Sequence, residues 1–140
     1  MNKEIILTIT GLQEELKEDE ALEVLIPGEY YNRDGKHYIL YEELSEDDGA
    51  VTKSVLKASP EKVELTRRGE RNVAMVFEAG KTSNSIYTLP YGSLDMAIHT
   101  TDIHINETDT SLDIEVFYSL DINYEHISDC VVRIIARNRQ

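Results

Sequence analysis

The sequence predicts an all-β fold, a closed antiparallel meander β-barrel, and three observations carry that expectation. Apolar and polar residues alternate with period two along most of the chain, the pattern of strands with one buried and one wet face. Turn residues break the alternation at short intervals, so consecutive strands pair as hairpins. No stretch spaces its apolar residues for a buried helical face. A succession of hairpins leaves exposed edges unless the sheet closes on itself, which makes the closed meander the simplest solution and a sandwich the alternative.

The first strand sets Ile5, Leu7 and Ile9 on one face and Thr8 and Thr10 on the other, up to Gly11. Glu14 to Glu23 is dense in charge and too poor in apolar residues for a helix, so it reads as a long solvated connection. Leu22 to Tyr31 follows, with Pro27-Gly28 marking a bulge or an edge. Asp34-Gly35 offers the two positive-φ positions of a tight hairpin, and His37 to Glu43 returns antiparallel. Ala50 to Ala58 begins after Asp48-Gly49, Ser59-Pro60 separates it from Lys62 to Arg68, and Val73 to Glu78 follows the turn at Gly69.

Ser85 to Tyr91 reads as the next strand, closed by Pro90-Tyr91-Gly92. Leu94, Met96 and Ile98 share one face, yet the apolar parity then switches to Ile103 and Ile105. A bulge near Thr100-Thr101 keeps this one continuous strand. Leu112 to Ile122 is the clearest alternation, with Asp113, Glu115 and Asp121 facing away from the core. Cys130 to Arg137 is apolar on both faces, which places it in the middle of a sheet. About nine strands result.

Length and composition bound the rest. A chain of 140 residues that is 41% hydrophobic buries a core as one domain, residues 1–140, without disulfides or a structural metal. Its net charge of −13 repels nucleic-acid phosphates and anionic membranes, so neither is expected as a partner. Cys130 is the only cysteine, so no intrachain disulfide forms; together with the absence of a signal-like or membrane-length apolar run, this leads to a cytoplasmic expectation.

Three stretches carry a family resemblance: Tyr38-Ile39-Leu40-Tyr41-Glu42-Glu43, Arg67-Arg68-Gly69 before a Val/Met/Phe strand, and Thr88-Leu89-Pro90-Tyr91-Gly92 leading to His99-Thr100. In their order and spacing, with the later Tyr118-Ser119-Leu120, they resemble the uncharacterised bacterial YwiB-like family over nearly the whole chain. The resemblance implies a lipocalin-like, or calycin, barrel of about eight to ten strands and brings no established activity. The lipocalin Gly-x-Trp signature is absent because the chain has no tryptophan.

Among candidate site residues, Arg67 shares the face of Val63 and Leu65, so its guanidinium belongs to the core side and requires an acidic or carbonyl partner. There it is placed to anchor the polar head of a ligand in a barrel mouth, or, as a strand-end residue, to snorkel to solvent. Tyr38, Tyr41, Tyr87, Tyr91 and Tyr118 are the pocket-lining candidates, each offering ring area and one hydroxyl; tyrosines equally fill ordinary barrel cores.

His99-Thr100-Thr101-Asp102-Ile103-His104 invites a metal, but regular alternation puts the two imidazoles on opposite faces and only the bulge brings them together, so no metal or cofactor is expected. Cys130, in an apolar strand, reads as an inert core thiol. No catalytic triad, phosphate-cradling loop or cofactor motif is present. Two function classes follow, with an enzyme a third and least supported reading because no triad, metal set or cofactor motif can be named. One is a barrel binding an apolar or amphipathic small molecule without catalysis. The other is a protein-interaction module or homodimer acting through its surface near Tyr30, Tyr31 and Pro27-Gly28, with the acidity favouring a basic partner.

Overall fold

Alternation along the chain becomes an antiparallel meander in the computed structural model, which describes residues 3–11, 25–44, 49–69, 73–89 and 92–139. Its strands are β1 (Glu4–Thr10), β2 (Ile26–Arg33), β3 (Lys36–Leu44), β4 (Val51–Ser59), β5 (Lys62–Arg68), β6 (Val73–Glu78), β7 (Thr82–Leu89), β8 (Gly92–Glu107), β9 (Ser111–Ile122) and β10 (Glu125–Asn138). No helix occurs among the described residues, and so none that is long and apolar enough to cross a membrane. The acidic stretch from Glu14 to Glu23 lies outside them.

Sheet order is β6-β5-β4-β3-β2-β1-β10-β9-β8-β7, with β10 returning to β1 so that β6 and β7 become the two ends. Those ends lie side by side and β6 also rests against β8, which nearly closes the barrel. The β6–β7 connection is tied into β8, where Gly80 N donates to the Thr100 carbonyl and Thr100 N to that of Lys81. Thr100 sits at the register shift between Thr100 and Asp102, where the parity switch called for a bulge. One extra residue there lets Leu94, Met96 and Ile98 and then Ile103 and Ile105 all address the interior.

The core is the inward face of the strands other than β7 among the described residues: Ile5, Leu7, Ile39, Leu56, Val63, Phe77, Ile98, Ile114, Val116 and Val132 are almost wholly removed from water. Phe77 packs on Tyr118 with ring centroids 4.9 Å apart, a tilted contact across the lumen. These side chains fill the middle of the barrel, including Cys130, which is buried beside Ser128.

Pro27 and Gly28 form neither a bulge nor an edge. β2 runs in unbroken register with β1, and its ladder with β3 begins only at Gly28. Tyr30 N bonds to Lys3 on the β1 side, so by alternation the nitrogen of Pro27 faces the β3 side just beyond the ladder's end, and the missing N–H removes no rung. Gly28 is needed for space: a Cβ there would lie 2.8 Å from the Leu40 carbonyl oxygen and 3.0 Å from Leu7. The larger boundary differences from the sequence reading are at β2, which runs from Ile26 to Arg33 rather than from Leu22 to Tyr31, at β7, which starts at Thr82 rather than Ser85, and at β10, which starts at Glu125 rather than Cys130.

Candidate functional site

A polar row crosses the inner face of three neighbouring strands at one end of the barrel. Register pairs Tyr41 on β3 with Ser54 on β4, and Ser54 with Arg67 on β5. Arg67 is inward, with its side chain 15% exposed, and Nη2 donates to Glu43 Oε1 at 3.1 Å. The expected acidic partner is thus two residues from Tyr41 on the same face of β3. Burial pushes the Tyr41 hydroxyl up from its ordinary pKa, against the smaller pull of the Arg67 charge; the Glu43 charge adds to the rise, and the Ser54 hydroxyl, close to Tyr41 but outside hydrogen-bond geometry, lowers it slightly.

The Tyr41 hydroxyl and Ser54 Oγ are both buried and make no hydrogen bond among the described residues; Thr100 Oγ1, on a different wall, is in the same state. Each such group costs about 1–3 kcal/mol relative to its hydrogen-bonded state in water. Arg67 and the half-exposed Glu43 mark where this end meets solvent.

The other tyrosines divide. Tyr118 is inside, against Phe77, nearer the filled middle than the mouth. Tyr38 is on the outer face of β3, one step out of phase with Tyr41, and Lys57 Nζ lies over its ring at 5.8 Å. It therefore does not join the interior row. The Tyr87 side chain and all of Tyr91 lie outside the described residues.

The opposite end carries a second polar group. The hydroxyl of Tyr30 is 2.7 Å from His37 Nδ1, Asn32 Nδ2 donates to the Tyr30 oxygen at 3.3 Å, and His37 Nε2 faces Glu107 Oε1 at 4.0 Å. Tyr30 is inward and buried, so it is unavailable to the surface patch the sequence reading built on it; Tyr31, out of phase, is the exposed one. Burial raises the Tyr30 pKa, helped by the Glu107 charge. The sequence did hold a signal for this group, since His37 shares the parity of Ile39 and Tyr41 and an inward histidine needs a partner. Ser54 carried the same signal beside Leu56.

On the outer face the bulge does bring both β8 histidines to one side, yet they engage different partners. His99 Nδ1 meets Thr82 Oγ1 at 2.7 Å and Nε2 meets Asp121 Oδ2 at 2.9 Å, while His104 lies 3.9 Å from Asp102 and against Phe117. His126 Nδ1 approaches the other oxygen of Asp121 at 3.4 Å. The bond from His99 holds the Asp121 carboxyl below its ordinary pKa. No group of side chains fit to hold a metal ion occurs among the described residues. Arg133 bridges Glu115 at 2.7 Å and Asp113 at 4.0 Å, consistent with a solvated, charged exterior.

Comparison with solved structures finds the ywiB protein from Bacillus subtilis, 22% identical, at a TM-score of 0.66 over 98% of this chain and 89% of that one. At that identity the likeness shows the shared fold. No curated relative matches the sequence. The family model described as Domain of unknown function (DUF1934) matches residues 7–134, nearly the whole barrel, and the chain therefore belongs to that family.

Proposed function

We propose that this protein is a noncatalytic small-molecule-binding barrel of the calycin type, taking an amphipathic ligand at the Arg67 end of its interior. The observation that carries the reading is the pair of buried hydroxyls on Tyr41 and Ser54 with no hydrogen bond among the described residues. Both hydroxyls are closed to solvent, so a ligand polar group reaches them by parting the side chains at the mouth, and it then supplies the hydrogen bonds that folding leaves unmade. Because the middle of the barrel is filled, the ligand reaches only into this end, with its apolar part toward the mouth walls. Glu43 already answers the Arg67 charge, so the favoured head group is neutral, such as a hydroxyl, amide or ester carbonyl, and Arg67 orients it by donation rather than by charge neutralisation.

Native mass spectrometry of protein purified gently from its own host tests this, read beside the same sample denatured. Extra mass that is lost on denaturation and is absent from Ser54→Ala and Arg67→Met supports the site. A bare chain mass for the wild type, or equal retention by wild type and both variants, overturns it.

A further inference from the structure

Apart from the interior, the outer face of β7, β8 and β9 carries a groove of about 510 Å³. Its floor is Ala97, which pairs with Asn84 on one side and Asp121 on the other, so a methyl group lies between longer side chains. Ile86 and Tyr124 form the apolar walls and are 69% and 90% exposed. Tyr124 ends the two-residue β9–β10 turn at φ +72°, following Asn123 at +50°, a position where glycine is the low-energy choice and an aromatic is held in the left-handed region. An apolar ring is thus displayed to water at a backbone position that disfavours it.

The groove is also acidic. Asp95 and Asp121 line it, and among the described residues neither lysine nor arginine does. Asp121 is engaged by His99 and His126, whereas the Asp95 carboxylate forms no ion pair among the described residues; its neighbour Asn123 bonds only to the Asp95 backbone.

We propose that this groove docks a basic segment of a partner protein, an arginine or lysine laid between Asp95 and Asp121 with an adjacent apolar side chain against Ile86 and Tyr124. Apolar walls suit the aliphatic stem of a long cation, the tyrosine face suits its head, and the two carboxylates supply the complementary charge. A second copy of this chain is the poorer occupant, because two bodies of charge −13 repel. The surface acts whether or not the interior holds a ligand.

The test is an amide NMR titration of the isotopically labelled full chain with the capped peptide Leu-Arg-Leu-Arg, beside Leu-Glu-Leu-Glu. The expected result is shifts concentrated at Asn84, Ile86, Ala97 and Tyr124 with the arginine peptide alone, and binding weakened about tenfold or more by Tyr124→Gly and by Asp95→Asn. Tyr124→Gly relaxes the turn, so its fold survives, and Ile86→Thr gives an independent check on the opposite wall. Shifts spread evenly over the acidic surface, or binding unchanged by the variants, overturn the proposal. Groove shifts that appear on concentrating the chain without peptide overturn it in favour of a second copy.

Discussion

At the end of the barrel marked by His37, the Tyr30 hydroxyl, the imidazole and the Asn32 amide complete one another's hydrogen bonds. At the Arg67 end, the equally buried hydroxyls of Tyr41 and Ser54 have no such completion among the described residues, although they flank an ion pair. Both ends hang on the same sheet, on β3 in particular, where His37 and Tyr41 are four residues apart on one face. Inward polarity is therefore not in itself a sign of a site. Incompleteness is: where the protein satisfies its own groups the arrangement is structural, and where it does not, an outside group has something to supply.

Breaking the middle that both ends share has the largest expected effect. Phe77→Ala leaves a cavity under Tyr118 and costs about 3–5 kcal/mol in chemical denaturation. Next comes the contrast itself: Tyr30→Phe strands His37 Nδ1 and destabilises the ligand-free protein by about 1–3 kcal/mol, whereas Tyr41→Phe and Ser54→Ala change it by less than about 0.5 kcal/mol or stabilise it. Equal losses at the two ends in denaturant melts sink the distinction.

Alkaline pH sharpens it further. Burial raises both tyrosine pKa values above the ordinary 10.0, so the folded state keeps protons that the unfolded chain has released. That contribution to stability is full below pH 10 and is lost as pH rises through the folded values. Stability curves across this range lose less steeply in Tyr41→Phe than in wild type. Outside the contrast itself, the turn on the Arg67 end gives a modest effect, where Tyr124→Gly removes backbone strain and raises stability by about 1 kcal/mol, read as a higher melting temperature.

Much of this architecture is legible from alternation. β5 and β6 have the bounds their apolar periods indicate, and the switch of parity between Ile98 and Ile103 locates the β8 bulge. The early parts of β7 and β10 escape because Thr82 to Asn84 and Glu125 to Asp129 carry almost no apolar residues, although the ladders bind their backbones all the same. Pro27-Gly28 misleads for a related reason: a local break signal cannot report where the neighbouring strand's ladder ends. For the site, Arg67 and Tyr41 are visible as polar residues in an apolar phase. Glu43 and Glu107 are not, since only three-dimensional closure tells which of many acidic residues meets an inward arginine or histidine.

The bulge at Thr101 gives β8 one residue more than β9 pairs with. The Thr101 side chain is exposed and its hydroxyl donates to the Phe117 carbonyl. Deleting it would turn the odd step from Ile98 to Ile103 into an even one, so a regular strand would still hold Ile103 and Ile105 inward and Asp102 and His104 outside. What the surplus residue adds is a bend and extra twist in the strand beside the seam between β6 and β7, so it shapes the closure of the barrel and leaves the two faces of β8 as they are.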